Sequence, residues 1–261
     1  MRYKISVIEV FLSGGGTQSA CIVALIVQGK LPRPNMIVIV DTERERSSVW
    51  EYQSAVIEPA LSKIGMMIYR IKKSDFATVD LWSKGKGGIT LPTFEKFSGQ
   101  SQTYCSNEWK RRVIDRFLRS KGIKKREVRK WIGLSLDEAN RHFRLKTSAE
   151  KSGEKLRFPL IEDIPLNRAQ AIATVRRMGW PDPPRSACWM CPNQTGKEWR
   201  NLKLNYPDEF EKAVALEKEI QKREPTAFLH PARIPLSEID FGNEADLWVF
   251  SEGCNSGMCF T

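Results

Sequence analysis

The sequence predicts an α/β protein, a doubly wound and mostly parallel sheet with a small cysteine-bearing C-terminal module packed beside it. Three observations predict this class. Short β-branched runs alternate with helical segments through the first half of the chain, which is the pattern of a parallel sheet wrapped by helices. Three consecutive glycines, Gly14-Gly15-Gly16, join the first apolar run to the first helix. The second run ends in Asp41-Thr42, a polar pair at the carboxyl edge where such sheets take ligands. Pro181-Asp182-Pro183-Pro184 then makes a rigid break, dividing the chain into a domain over 1–180 and a module over 181–261.

The elements follow in order. Residues 4–12 read as a buried strand and 18–28 as the helix after the glycine turn. A strand over 36–40 and a helix over 48–64 form the next unit, followed by a strand over 66–71. Residues 84–106 are rich in Gly, Ser and Thr and are expected to form a mobile loop over the site. A helix over 107–119 and a strand over 130–134 close the alternating part, which stops after residues 158–162. Helices are expected over 167–178, 197–204 and 208–223. No internal repeat is evident.

Composition narrows the classes. The 261 residues include 42 Lys/Arg against 31 Asp/Glu, a net charge of +11. Residues 108–157 hold 17 of the basic side chains and 7 acidic ones, so this segment alone carries +10. Such a block attracts polyphosphate, either a nucleotide's or a nucleic-acid backbone's, or else forms a solvated helix face. The aromatics within it, Trp109, Phe117 and Trp131, have core spacing and are not read as base-stacking platforms. No apolar run approaches the length that spans a bilayer, which predicts a soluble, cytoplasmic protein without a membrane partner. Six cysteines in that setting predict reduced thiols or metal ligands.

The segment Ser13-Gly14-Gly15-Gly16-Thr17-Gln18-Ser19 is the first candidate site. Without β-carbons the turn can bring backbone N–H groups onto an anion, and Ser19 lies near the helix start, where hydroxyl and dipole favour phosphate. The segment has neither the Lys-Ser/Thr ending of a P-loop nor the spacing of a dinucleotide fold. A tight strand–helix turn without a ligand is the alternative. Gly133-Leu134-Ser135-Leu136-Asp137-Glu138 begins at another strand end, so Asp137 and Glu138 either face the ligand or complement a helix dipole.

Cys188-Trp189-Met190-Cys191-Pro192 is the strongest metal signal, since two cysteines at this spacing can point at one ion. Redox exchange is the weaker reading, because the flanks are not thioredoxin-like. Further ligands would come from Cys105, Cys254 and Cys259, with Cys21 assigned to the core of the first helix. Four thiolates suit Zn²⁺ or a [4Fe–4S] cluster alike. His142 and His230 are too far apart in sequence to suggest a dyad, and His142, within the basic segment, is expected to contact phosphate or solvent. Serine-hydrolase and zincin motifs are absent.

These motifs together resemble the PP-loop ATP-pyrophosphatase (adenine nucleotide α-hydrolase) superfamily, in its order strand–SGGxDS–helix, strand–DTxxE–helix. The loop, with Gly14 and Gln18 where the commoner version has Ser and Asp, is most similar to the phage and bacterial PAPS reductase-like branch. That branch also carries segments matched by Cys105-Ser106-Asn107-Glu108-Trp109-Lys110, by the run from Ser186 to Lys203, and by Gly257-Met258-Cys259 near the end. The resemblance implies a Rossmann-like fold and an adenine nucleotide, ATP or PAPS, bound by Ser13, Gly14, Gly15, Gly16, Thr17, Gln18, Ser19, Asp41, Thr42, Gly133 and Asp137. Lys110, Arg111 and Arg112 would neutralise charge developing on phosphate, Gln18 would orient phosphate or water, and Asp41 would hold adenosine or Mg²⁺. It implies a metal centre, iron–sulfur ahead of zinc, on Cys105, Cys188, Cys191 and Cys259, with Cys254 the weaker fourth ligand.

Three functions follow from the resemblance. The first is ATP cleavage between the α and β phosphates, coupled to sulfur transfer onto a nucleic acid, DNA or tRNA, with a cysteine desulfurase or thioredoxin-like sulfur donor. The second is PAPS reduction, although the chain lacks the E-C-G-x-H tail of true reductases. The third is nucleotide-gated nucleic-acid binding without turnover.

Overall fold

The computed structural model describes residues 7–82, 88–102 and 104–242. Its frame is a five-stranded parallel sheet in the order β3-β2-β1-β6-β7, so the first two units wind one way from β1 and the later units the other. The carboxyl ends of β1 and its neighbours therefore flank a switch in winding direction, the place where open parallel sheets form a crevice.

β1 (Ile8–Ser13) is central, pairing with β2 (Met36–Asp41) on one side and with β6 (Val128–Ile132) on the other. β3 (Ile68–Lys72) adds to β2. α1 (Thr17–Val27) leaves directly from the glycine turn, and its nine buried residues account for the near absence of polar positions in its sequence. α2 (Ser47–Tyr52) runs through a π-helical turn, Gln53–Ile57, into α3 (Glu58–Ser62), which makes one long helix of the predicted 48–64 segment. A short α4 (Lys73–Phe76) follows β3.

The segment over 84–106 departs from expectation. Its described part folds as β4 (Phe94–Glu95) and β5 (Gly99–Gln100), not as a loose loop. Both belong to a small antiparallel sheet that is closed by β8 (Ala227–Phe228), where Phe94 pairs with Phe228. The Gly/Ser/Thr composition that suggested mobility reflects tight hairpin geometry anchored by a long-range partner, which local sequence cannot show.

A π turn over Asn107–Arg111 leads into α5 (Arg112–Ser120), and β6 follows. α6 (Ala139–Ser152) ends at Gly153, whose φ of 66° is the left-handed cap of the helix. β7 (Lys155–Arg157) is a fifth strand that the sequence did not reveal, because its three residues, two of them basic, carry no apolar alternation. α7 (Arg168–Arg176) starts at Asn167, whose side chain accepts from the Gln170 N–H. α8 (Gly196–Asn205) starts at Thr195 in a capping box with Glu198, and α9 (Pro207–Gln221) begins with Pro, each as its sequence signals predict.

Two cores cover the sheet. On one face Phe11, Ile37 and Trp131 pack under α1, α3 and α7. On the other, Val10, Val38 and Val40 meet Val113, Ile114 and Phe117 of α5. Trp109, Phe117 and Trp131 are buried, as their spacing predicts. A further core joins α8 and α9 to Leu81, Leu91 and Trp109 from the middle of the chain, around Met190 and Trp199. Leu81, Leu91 and Trp109 thus pack with residues from beyond the proline break.

Candidate functional site

The glycine turn is built by the exclusion of side chains. Gly15 has φ +78°, and a Cβ there would lie 2.8 Å from Val49 Cγ1 and 3.2 Å from Ile39 Cδ1. A Cβ on Gly16 would stand 3.1 Å from the Ser186 nitrogen. The loop is therefore gripped by β2 and α2 on one side and by residues 184–186, just beyond the proline break, on the other. Its amides are held by its own hydroxyls: Ser19 Oγ accepts from the Gly14 N–H at 2.8 Å, and Ser13 Oγ from the Gly15 N–H at 3.3 Å. These are short-range contacts that an incoming anion can replace, which leaves the loop able to act as a phosphate cradle. Ser186 Oγ, beside the loop, is buried and has no hydrogen-bond partner among the described residues.

Gln18 bridges two strand ends. Its Nε2 donates to Ser135 Oγ (3.2 Å) and to Glu138 Oε2 (3.1 Å), and Gly133 faces its Cβ. Asp137 is turned elsewhere: its carboxylate accepts the Arg168 N–H and so caps α7, the helix-end role left open from the sequence. Asp41 is buried and committed to protein partners. Its Oδ2 takes Arg70 Nε at 3.0 Å and Nη2 at 2.5 Å, while Oδ1 accepts the Glu43 N–H. Arg70 in turn lies 3.6 Å over the Trp50 ring.

The basic residues are also engaged. Lys110 Nζ donates to Glu45 Oε1 at 2.8 Å, Arg111 to Glu154 at 2.6 Å, and Arg112 to Glu108 at 2.9 Å. Lys130, buried in β6, bridges Asp115 and Glu154, both at 2.6 Å. Burial opposes the charge on Glu154, yet Lys130 and Arg111 hold its carboxyl below the ordinary range. Next to this network a cavity of about 60 Å³ opens between α5 and α6 on the sheet face. Leu12, Val40, Ile132 and Leu145 line it, and Ser13, Gly14, Lys110 and Arg111 stand at its polar end. An apolar pocket with a few convergent polar groups beside a glycine turn has the chemistry of a nucleoside–phosphate site.

The cysteine turn is strapped to the end of β2. Glu45 and Cys188 form an antiparallel bridge, with the Arg46 N–H donating to Ala187 O (3.2 Å) and the Trp189 N–H to Arg44 O (2.9 Å). The Cys191 N–H closes the turn onto Cys188 O at 3.0 Å. Cys188 Sγ lies 3.4 Å from Thr42 Oγ1, so the Asp41-Thr42 strand end meets the cysteines. Beneath the turn the Arg46 guanidinium meets Gln194, and burial holds its pKa below the usual value.

Cys105 packs against the same apolar core as Cys188. Burial pushes its thiol up to about 12, and the Cys191 charge adds to that rise while Lys110 opposes it. Cys188 is also raised, by burial first, then by Glu45, against Lys110 and with Cys191. Cys105 and Cys188 are thus each influenced by Cys191 and by Lys110. Among the described residues no three His, Cys, Asp or Glu side chains converge tightly enough to hold an ion. Cys254 and Cys259 lie outside the described residues. The donor set nevertheless fits a thiophilic centre in its chemistry. Half-buried thiols with raised pKa values gain most from an ion that replaces their protons.

Cys21 is in the core of α1, its thiol pushed up to about 12 by burial, as its place in the helix predicts. His142 does not meet a phosphate contact of the loop: it sits edge-on against Phe158, 4.0 Å from Glu162. His230 is buried and accepts the Ala232 N–H. Sequence reasoning missed Glu45, Lys130 and Glu154 as members of the site. Glu45 is the acid of the D-T-x-x-E spacing, and Lys130 is a lone lysine inside an apolar strand, so both left a signal. Glu154, after a helix-ending glycine, left none.

No family model matches the chain, and no curated protein matches it. Among solved structures it is similar to the U34-tRNA thiolase NcsA from Methanococcus maripaludis, a structure with its [4Fe-4S] cluster, at 13% identity and a TM-score of 0.44, covering 90% of this chain and 74% of that one. No helix among the described residues is long and apolar enough to cross a membrane. The functional reading rests on this chain's own residues.

Proposed function

We propose that this chain is an ATP-dependent enzyme of PP-loop type that cleaves the α–β phosphate bond and serves sulfur transfer to a nucleic acid. The observation that carries the reading is the position of Lys110, which lines the cavity beside the glycine turn and pairs with Glu45, the residue bridged to Cys188. A nucleotide cradle and a thiol cluster that share one cation form one site.

In this reading the phosphates replace the Ser13 and Ser19 hydroxyls on the loop amides, and the nucleoside lies along the apolar lining at the cavity mouth. Lys110 and Arg111 at the cavity's polar end stabilise charge that develops on the phosphates, where a low-dielectric wall strengthens each contact. Gln18 positions the loop against Ser135 and Glu138; as a neutral amide it offers no carboxylate for Mg²⁺. Cys105, Cys188 and Cys191 would hold a [4Fe–4S] cluster, with Cys259 as the fourth ligand, or Zn²⁺ in its place. When bound, a cluster would supply a site for sulfur beside the activated substrate. AMP would leave from an adenylated oxygen of the nucleic acid as sulfur takes its place, the sulfur coming from a separate donor protein.

The test is an anaerobic incubation with ATP, Mg²⁺ and either tRNA or DNA, with nucleotide products separated. AMP and pyrophosphate are expected. ADP, or no product with any acceptor, contradicts the reading, and sulfite release from PAPS would replace it with the reductase reaction.

A further inference from the structure

The net charge of +11 is not located at the site. Around the cavity and the cysteines the cations are matched: Lys110, Arg111, Lys130, Arg70 and Arg185 each carry a carboxylate partner. Six further cations of the basic segment gather at the amino-terminal edge of β6 and β7, beyond Glu154 at the cavity's end away from the glycine turn. Lys121 caps α5, and Lys124, Lys125 and Arg126 form the turn that enters β6 at Val128. Lys151 ends α6, and Lys155 begins β7, the strand paired with β6. These six are exposed, and among the described residues none of them makes an ion pair. They are tied to one another through backbone: Lys155 Nζ donates to Arg126 O (3.0 Å) and Lys125 Nζ to Ser152 O (3.2 Å). The nearby acid Glu127 is turned back onto the Lys124 N–H at 3.1 Å.

We propose that this amino-terminal edge of β6 and β7 is a docking surface for the phosphate backbone of a nucleic acid, adjoining the Glu154 end of the cavity and remote from the glycine turn. The inference shares with the proposed function only the class of partner. A polyanion drawn by net charge would be steered here, because the cations at the site are already neutralised. The edge stands roughly 17–20 Å from the glycine turn, the length of a six-residue strand. A bound nucleic acid would therefore be anchored at one end of the sheet while a distant part of it reached the other. A nucleic acid is favoured over a membrane surface because this basic cluster carries no exposed large apolar side chain, which a membrane-inserting face would require.

The test compares two charge-reversed variants of the full chain by fluorescence anisotropy, with labelled tRNA and labelled duplex DNA, between about 50 and 200 mM salt. One carries Lys121→Glu, Lys124→Glu, Lys125→Glu and Arg126→Glu. The control carries Lys197→Glu, Arg200→Glu, Lys212→Glu and Lys218→Glu, the same charge change on α8 and α9. The first should bind at least ~10-fold more weakly and lose about 3 from the slope of log affinity against log salt, at roughly 0.7–0.9 per phosphate contact. The control should stay near wild type. Equal losses in both variants, or no loss in the first, would overturn the assignment. So would a lowered Tm with unchanged binding, since the cations would then serve the helix ends. Tighter binding to anionic lipid vesicles, lost in the same variant, would give the surface to a membrane. Each result is independent of whether wild type forms AMP, so the two proposals can fail separately.

Discussion

Lys110 Nζ lies 2.8 Å from Glu45 Oε1, and the other oxygen of that carboxylate is buried without a hydrogen-bond partner among the described residues. The pair joins the π turn before α5 to the strap that holds Cys188, so it fixes the cysteine turn relative to the cavity. Its members are unequal, with Glu45 more deeply buried than Lys110. Removing the lysine leaves a buried charge uncompensated, while removing both leaves none.

Lys110→Met alone should accordingly destabilise the fold by roughly 3–5 kcal/mol, and Glu45→Gln combined with it should restore most of the loss. Urea unfolding of the two single variants and the double variant measures this as a coupling energy. Additive losses would show that the pair is not a unit.

Gly15→Ala is expected to destabilise by about 1–3 kcal/mol, from a left-handed φ and from the Cβ that would press on Val49. Pairing it with Val49→Ala should recover only the steric part. Thermal denaturation separates the two contributions, and a neutral Gly15→Ala would mean that the turn relaxes freely.

Asp80 is held at about 2, first by the Arg44 guanidinium and then by Lys73, both of which pack over the Trp109 ring. A folded-state pKa below the ordinary 3.8 adds stability above that pH, and the gain is lost as pH falls towards 2. The Tm gap between wild type and Asp80→Asn should therefore be present at pH 6 and close between about pH 4 and pH 2. Because Asp80 is largely exposed, the gap should be small and should narrow in high salt. A gap that widens on acidification would contradict the pairing.

The sheet was legible because its signals are local. Ser13 to Ser19 and Asp41-Thr42 each announce a strand end, and α7 and α8 begin where Asn167 and Thr195 offer caps. What stayed hidden depends on partners far away in sequence. β4 and β5 exist because Phe228 comes back to pair with Phe94, and β7 is a three-residue strand without an apolar pattern. The basic block was read as one feature, yet the fold divides it into paired and unpaired cations. Lys110 and Arg111 pair with carboxylates along the cavity, and Lys124 to Arg126 stand without an ion pair among the described residues at the turn that enters β6. Charge counts along a sequence cannot make that distinction. The spacing Cys188-x-x-Cys191 was legible as a pair, while its bridge to Glu45 beyond the end of β2 was not.

In the proposed function Cys105, Cys188 and Cys191 act as one ligand set beside the nucleotide cavity. The direct measurement is the visible spectrum and metal content of anaerobically prepared protein and its cysteine variants. A brown protein with about four irons per chain is expected. Cys105→Ser, Cys188→Ser and Cys191→Ser should each lose the colour, and Cys21→Ser should keep it. Protein that retains its full metal content after Cys105→Ser, or that never binds a metal, would contradict the central claim.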